Sequence, residues 1–400
     1  MTEWHEKKIS RRSMLKMTGI GAAGAIIGAS GFGGVMKAMG SDLTAPKAVK
    51  NSIAFYGKHQ AGITTPSQTN VYFASLDVVV TTKKEMRELM QLWTPMIEKL
   101  MAGEEVATST NVHIPPNDTG EAEGLDAKNC TITIGVGPSL FDKVGLTAEK
   151  PREFTDLPHF PKDQLDPAYT GGDLCIQACA DDPQVAFHAV RNLVRVATGK
   201  VEVKWAQAGF NAFPPGGGTP RNLFAFKDGT ENPVPDKEDH VVWVQPGESK
   251  AWLTGGTYLA VRRIQMHLET WDRTSLQEQE NTFGRHRDTG APMGMKDEFD
   301  NTDEAELPAT SHVHLARQTK ARMLRRSFSY ASGTMTQTGA HDAGLLFISF
   351  QKHPQQFIDV QNSFGRLDKL NEYITHRGSA LFACFPGVQK GSYLGETLFK

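Results

Sequence analysis

The sequence predicts an α+β protein made of two ferredoxin-like modules, each with the element order β-α-β-β-α-β. Short runs of β-branched and aromatic residues alternate with longer stretches in which apolar residues have helical spacing, and this pattern occurs twice along the chain. The strongest break between the two sets is a segment rich in proline and glycine at 213–220. Two such modules would pack together within one chain in an arrangement similar to a dimeric α+β barrel.

In the first half, the helix prediction rests on an apolar stripe that begins at Met86 and ends at Met101, although Pro95 could kink this helix. A second helix is predicted at 183–197, because Asp181 and Asp182 precede it and acidic residues suit the positive end of a helix dipole. The predicted strands of this module are 70–80, 131–136, 174–178 and 201–205.

The second half repeats the order after the break. A long polar stretch, 281–310, is predicted to be a loop, and loops of this length are usually functional or disordered. Helices are predicted at 269–279 and 355–367, and strands at 257–264, 327–330, 344–350 and 381–385.

Composition excludes several classes of protein. The 400 residues are enough for two domains, and with 39% hydrophobic and 22% charged residues the chain can bury a core. The 43 basic and 45 acidic side chains nearly balance, which argues against a general nucleic-acid binder. Four cysteines are too few for a disulfide scaffold, and the absence of a CxxCH motif excludes a covalently attached c-type haem.

The N-terminus has the features of an export signal. Segment 10–16, with Arg11 and Arg12 at its centre, is similar to the twin-arginine pattern, and a glycine-rich uncharged run follows it. Segment 38–40 is a weak cleavage site, so an uncleaved membrane tether stays open as an alternative. Export of folded proteins by this route implies a cofactor inserted in the cytoplasm and a final location outside the plasma membrane. The predicted boundaries are a signal peptide at 1–40, an extended lead-in at 41–66, and domains at 67–215 and 216–400.

Three short segments contain candidate functional residues, and each has a structural alternative. Asp228 lies in an Asp-Gly turn, where it could cap the turn or stand beside a buried cofactor. On a strand, His312 and His314 would point to one face. They could form a two-histidine metal site, one of them could be an axial haem ligand, or they could be structural residues with their hydrogen bonds satisfied. Arg325 and Arg326 could be solvated, or one of them could stabilise negative charge on a bound oxygen species.

Together and in order, these segments resemble the dye-decolourising peroxidase family, DyP. The defining G-x-x-D-G motif of the family stands here at 225–229, with Ala225 in place of the first glycine. Alanine at this position puts in doubt a backbone conformation with positive φ. The combination with a twin-arginine signal looks most similar to the exported deferrochelatase/peroxidase branch, the haem component of an elemental iron-uptake system. The resemblance also covers segments 56–63, 157–160, 171–174, 344–348 and 385–388.

The resemblance implies a role for each candidate residue. Asp228 would be the distal acid that moves a proton between the peroxide oxygens, and His312 would be the proximal ligand of the haem iron. Arg325 would be the distal arginine, with Arg326 as the alternative. The haem edge would be lined by Gly229, Thr230 and Glu231, and Asp342 would hydrogen-bond the proximal imidazole.

The function implied is that of a peroxidase with non-covalent haem b, which reduces hydrogen peroxide and oxidises donors one electron at a time. The implied donors are dyes and ferrous iron, and the implied partners are an iron permease and an iron-binding lipoprotein. Removal of iron from intact haem is attributed to this branch, and a homo-oligomer is a further expectation. The alternatives are a non-catalytic haem or iron carrier outside the cytoplasm, and a chlorite-dismutase-like haem enzyme, against which the motif around Asp228 argues.

Overall fold

A computed structural model describes residues 51–107, 111–233, 238–335, 338–365 and 367–400. The expected signal peptide at 1–40 lies outside the described residues, as does the first part of the lead-in. Within the described ranges, no helix combines the length and the apolar character that crossing a membrane requires.

The first half of the chain has the predicted order of elements. Its two long helices are α1 (Lys83–Met101), which contains Pro95, and α3 (Pro183–Val196), and a short helix α2 (Pro138–Lys143) lies between them. Strand β4 extends five residues beyond the predicted end at Trp205. The strands are β1 (Asn70–Val78), β2 (Thr131–Val136), β3 (Leu174–Ala180) and β4 (Val201–Phe210).

Side-chain caps fix where both long helices begin. Thr82 and Glu85 form a capping box at the start of α1, in which each side chain bonds the backbone of the other residue. The Asp182 carboxylate accepts from the backbone N–H groups of Gln184 and Val185 at the start of α3. Asp182 is therefore the N-cap, whereas Asp181 bonds Asn129 in a neighbouring loop.

The second half follows the predicted order with different helix boundaries. The helix predicted at 269–279 is two short helices, α5 (Leu268–Trp271) and α6 (Leu276–Phe283), because Ser275 caps a new start. The other helices are α4 (Glu238–Val241), α7 (His312–Arg317), α8 (Pro354–Phe364) and α9 (Glu396–Phe399). The strands are β5 (Thr257–Met266), β6 (Leu324–Arg325), β7 (Phe328–Thr334), β8 (His341–Gln351) and β9 (Ile374–Cys384).

The nine strands of the described residues belong to one sheet, which closes on itself. The strand order is β5-β9-β2-β3-β1-β4-β7-β8-β6, and β5 also pairs with β8, so eight strands form a ring to which β6 is added. Every pairing between these strands is antiparallel. The closed sheet agrees with the predicted α+β fold class and barrel-like arrangement.

The closed sheet divides the apolar side chains between its two faces. One face is filled by a cluster that includes Phe73, Phe328, Phe350 and Phe382, each with no exposed surface. The opposite face of β1, β2 and β3 packs against α1 and α3 around Trp93. Because side chains alternate along each strand, the same strands supply both cores. The four cysteines are buried free thiols, in agreement with the absence of a disulfide scaffold.

A buried ion pair joins the loop before β3 to the second half of the chain. The Asp163 carboxylate accepts from the Arg262 guanidinium on β5, and Arg262 also donates to Ser379 Oγ at 3.1 Å. The side chains of Asp163 and Arg262 are 0% and 1% exposed. Burial, with the positive charge of Arg262, lowers the pKa of the neighbouring His376 well below its usual range, so His376 is neutral.

Asp163→Asn is expected to lower the free energy of unfolding by about 3 kcal/mol, because it leaves the Arg262 charge buried without its partner. Asp77→Asn is the matched control, since Asp77 pairs with Lys204 at 3.3 Å on the surface, where a pair contributes less than about 1 kcal/mol. Urea denaturation measures both changes. Equal losses of unfolding free energy in the two variants would show that breaking the buried Arg262 pair costs no more than breaking a surface pair.

Candidate functional site

The turn that carries Asp228 is held by its own backbone. The Asp228 N–H donates to the carbonyl of Pro220 at 2.9 Å, and Ala225 N–H donates to the carbonyl of Asn222 at the same distance. Ala225 has φ of +69° and Gly229 has φ of +121°. Ala225 therefore adopts the left-handed conformation that the first glycine of the motif would permit without strain.

Strand alternation separates the two consecutive arginines. Arg325 is the last residue of β6, and its side chain lines a cavity, where Nη1 lies 3.0 Å from Asp228 Oδ1. The Arg326 guanidinium lies at the end of the lead-in, where it donates to the carbonyl of Thr65 and to the side chain of Gln68, two residues beyond the lead-in. Successive side chains of an extended chain point to opposite sides. Arg325 is thus the arginine that faces Asp228, and Arg326 fastens the lead-in.

Asn232 fixes the backbone of Arg325 from the Asp228 turn. Its Oδ1 accepts from Arg325 N–H at 3.0 Å, and its Nδ2 donates to the Arg325 carbonyl at 2.8 Å. The turn and β6 are therefore joined by two backbone contacts as well as by the ion pair. This bracing holds the Asp228 carboxylate and the Arg325 guanidinium together.

The histidine pair lies on a helix, so the predicted strand is wrong. Ser311 is the N-cap of α7, and its hydroxyl accepts from the His314 N–H. Residues two apart on an α-helix point in nearly opposite directions. His312 faces the cavity, whereas His314 Nε2 lies 3.1 Å from Gln318 Nε2. In the described part of the chain, no group of three or more histidine, cysteine, aspartate or glutamate side chains could hold a metal ion.

The carboxylate that orients His312 is Asp368, and the prediction of Asp342 is wrong. His312 Nδ1 lies 2.7 Å from Asp368 Oδ2, and the Asp368 side chain is 2% exposed. Asp342 instead accepts twice from Arg263 Nη2, at 2.8 and 2.9 Å. Phe364 stacks on the imidazole with a centroid separation of 4.3 Å. The bond at Nδ1 leaves Nε2 of His312 as the nitrogen that can ligate iron.

These side chains share one cavity of about 220 Å³. Thr230 and Glu231 lie on its wall, together with Asp228, Arg325 and His312. Much of the lining is apolar, and it comes from β5, β8 and β9 on one side and from α7 and α8 on the other. The apolar residues include Phe224, Ile264, Met266, Phe283, Leu345, Phe347, Phe357, Val360, Phe364 and Ile374.

The charges around the cavity suit an apolar group that carries carboxylates. Lys227 and five arginines stand on the lining with three carboxylates. Two of these cations pair with carboxylates outside the lining, Arg262 with Asp163 and Lys227 with Glu298, whereas Arg322 donates to backbone carbonyls. A free imidazole nitrogen and apolar walls complete a donor set that fits haem, in which a planar apolar ring carries two propionates. The lining cations are Lys227, Arg262, Arg285, Arg317, Arg322 and Arg325, and the carboxylates are Asp228, Glu231 and Asp368.

A second cavity of about 290 Å³ adjoins the first and is called the vestibule here. Asp228, Arg325, Asn222 and Leu345 line both cavities, so the ion pair stands where they meet. Gly229, predicted at the haem edge, lines the vestibule and is not among the lining residues of the first cavity. Asn211, Thr219 and Asn232 line the vestibule beside the ion pair, and their amide and hydroxyl groups can hydrogen-bond a small polar molecule such as a peroxide.

Comparisons with known proteins agree with this geometry. Residues 60–211 match the model of the N-terminal part of the Dyp-type peroxidases, and residues 219–389 match the model of the C-terminal part. The chain belongs to the Dyp-type peroxidase family. Membership confirms the family that the sequence resembles, the class of enzyme, a haem-dependent peroxidase, and haem b as the cofactor.

Individual relatives are similar over nearly their full length. The deferrochelatase of Escherichia coli O157:H7 is 38% identical over 98% of this chain and 97% of its own. Among solved structures, DtpA from Streptomyces lividans has a TM-score of 0.82 and 36% identity, over 87% of this chain and 98% of its own. A DyP-type peroxidase from Cellulomonas bogoriensis has a TM-score of 0.81 and 35% identity, over 87% of this chain and 98% of its own.

Sequence reasoning missed Asp368, Asn232 and Glu298, each of which hydrogen-bonds a residue of the site. Asp368 is 56 residues from His312 in the chain, and Asn232 is 93 residues from Arg325. No local motif relates residues so far apart. Of the three, Asn232 could have been found from the sequence, because it lies within the turn that contains Asp228.

Ala225→Gly is expected to raise the free energy of unfolding by about 1 kcal/mol, because glycine relieves the left-handed strain at φ of +69°. Ala331→Gly is the matched control on the exposed part of β7, where glycine costs about 0.5–1 kcal/mol. Urea denaturation measures both. If Ala225→Gly lost as much stability as the control, the inference that Ala225 is strained in its left-handed conformation would be wrong.

Asp368→Asn is expected to weaken haem affinity by about 10-fold to 100-fold, because the bond that orients His312 loses its charge. Asp342→Asn serves as the control, since Asp342 pairs with Arg263. Titration of the apoprotein with haem, followed by absorption, gives both affinities. The assignment of Asp368 would be rejected if the two variants bound haem equally well.

Proposed function

We propose that the protein reduces hydrogen peroxide with Asp228, Arg325 and His312 as its functional residues, and that it serves iron uptake outside the cytoplasm. The observation that carries the catalytic part is the Asp228–Arg325 ion pair, at 3.0 Å, on the same cavity as a histidine oriented by a carboxylate. His312 would hold haem b through Nε2, and haem would supply the electrons for cleavage of the O–O bond.

Asp228 acts as the proton carrier. A peroxide in the vestibule or at the meeting point of the two cavities lies within reach of its carboxylate. An ionised carboxylate can accept the proton of one peroxide oxygen and return it to the other, so that water leaves. The Arg325 guanidinium pairs with this carboxylate, with Nη1 at 3.0 Å from Oδ1.

Arg325 stabilises the negative charge that develops on oxygen as the bond breaks. A guanidinium is charged at every physiological pH, and its donors are fixed in one plane. Two hydrogen bonds between the Asn232 side chain and the Arg325 backbone hold the residue in place before substrate arrives. Preorganised charge of this kind costs no rearrangement during the reaction.

Asp228→Asn is expected to slow the reaction with hydrogen peroxide by about 10²-fold to 10⁴-fold, because the amide cannot carry the proton. Arg325→Leu is expected to slow it by about 10²-fold to 10³-fold through loss of charge stabilisation. Stopped-flow absorption with the haem-loaded protein gives the rates, and retention of the Soret band shows that haem is bound.

Arg287→Leu is the control for these variants, because Arg287 is exposed and is not part of either cavity lining. It should react at the wild-type rate. Wild-type rates in both Asp228→Asn and Arg325→Leu would remove the pair from the mechanism. Loss of the Soret band in all variants would instead indicate a defect in haem binding.

The role in iron uptake is supported by the similarity to deferrochelatases and by the twin-arginine segment. In this proposal ferrous iron is the physiological donor, an iron permease and an iron-binding lipoprotein are the partners, and haem is a further source of iron. Fractionation of cells that express the full chain tests the location. Incubation with haem, with fluorescence detection of iron-free porphyrin, tests iron release. Protein confined to the cytoplasm would contradict the location, and no porphyrin fluorescence would contradict iron release.

A further inference from the structure

The connection at 284–310, which we name the strap, returns to the point where it begins. It joins α6 to α7, and Gly284 ends α6 with φ of +82°. A Cβ on Gly284 would lie 2.8 Å from Ser311 Oγ, so the two ends of the strap are in close contact. Ser311 caps the helix that begins with His312. The strap is therefore a closed loop anchored beside the histidine.

The middle of the strap lies against the turn that carries Asp228. Glu298 Oε2 accepts from Lys227 Nζ at 2.5 Å, and Oε1 accepts from Thr230 Oγ1 at 2.9 Å. Oε1 also accepts from the Thr219 hydroxyl. These three donors precede and follow Asp228 in the sequence, so one carboxylate holds the turn on both sides.

Arg285 adds a second brace between the strap and the turn. Its Nη1 donates to the carbonyls of Gly290 and Glu298, at 2.7 and 3.0 Å, and its Nη2 donates to Glu231 Oε1 at 2.9 Å. The Lys227 stem runs past Gly290, where a Cβ would lie 2.6 Å from Lys227 Cδ. The ammonium group of Lys227 is thereby confined at Glu298.

The Glu298 carboxylate is charged and nearly buried. Burial by itself would raise its pKa, but the bonds from Lys227, Thr219 and Thr230 outweigh burial and lower the pKa below the ordinary value. Its side chain is 9% exposed. A buried carboxylate with three donors has little freedom to rearrange, which makes it a rigid support for the turn.

We propose that Glu298 is a positioning residue for Asp228, which fixes the turn through Thr219, Lys227 and Thr230 so that the carboxylate stays at the meeting point of the two cavities. Glu298 belongs to neither cavity lining, so it acts through these three residues without touching substrate. This inference rests on the proposed role of Asp228 in peroxide reduction.

The test compares Glu298→Gln with Glu306→Gln, which removes the same charge from an exposed position on the strap. Glutamine at 298 loses the ion pair with Lys227 and weakens the hold on the turn. Amide hydrogen exchange at 219–231 in the apoprotein is expected to become about tenfold faster. The reaction of the haem-loaded protein with peroxide is expected to slow on the order of 10-fold to 100-fold, with the Soret band unchanged. Glu306→Gln should match the wild type in every measurement.

Thr230→Val is a second variant, because it removes one of the three bonds and keeps the shape of the side chain. Amide exchange at 219–231 should become faster and the reaction with peroxide slower, both by less than in Glu298→Gln. If Glu298→Gln does not fold, Thr230→Val is the variant that tests the proposal. Wild-type exchange, or a wild-type peroxide rate, in the variant that folds overturns the positioning role of Glu298. Failure of the wild-type protein itself to reduce peroxide overturns the proposed function instead, so the two failures are distinguishable.

Discussion

The pairing of β5 with β8 is the constraint on which the site depends. It closes eight strands into a ring, so that one face of the sheet is filled with aromatic and aliphatic side chains. The outer face of β5, β8 and β9 then becomes one wall of the main cavity, and helices α7 and α8 form the other. Because the wall is a continuous hydrogen-bonded sheet, residues from distant parts of the chain keep fixed positions on it.

The functional side chains are held in place by hydrogen-bonding partners from elsewhere in the chain. Arg325 faces Asp228, His312 is bonded to Asp368, and Glu298 holds Lys227. Each pair joins two segments of backbone, so the charges brace the site as well as provide its chemistry. Such an arrangement is set before substrate or cofactor arrives, which is what electrostatic catalysis requires.

The sequence predicted the fold class and most of the elements because the two periodicities were clear. The apolar stripe from Met86 to Met101 and the alternating runs at 131–136 and 257–264 correspond to observed elements. The histidine pair was assigned to a strand because a short H-x-H segment carries no usable period. Ser311, as an N-cap, was the signal in favour of a helix.

The sequence by itself determined which residue types were available for chemistry: an Asp-Gly turn, a histidine and a pair of arginines in a recognisable order. Only the tertiary structure decided which partner each of them has. Asp368 rather than Asp342 reaches His312, and Arg325 rather than Arg326 reaches Asp228. The physical reason is that local spacing fixes periodicity and direction, whereas a hydrogen bond between residues 56 or more positions apart depends on how the sheet closes and the helices pack.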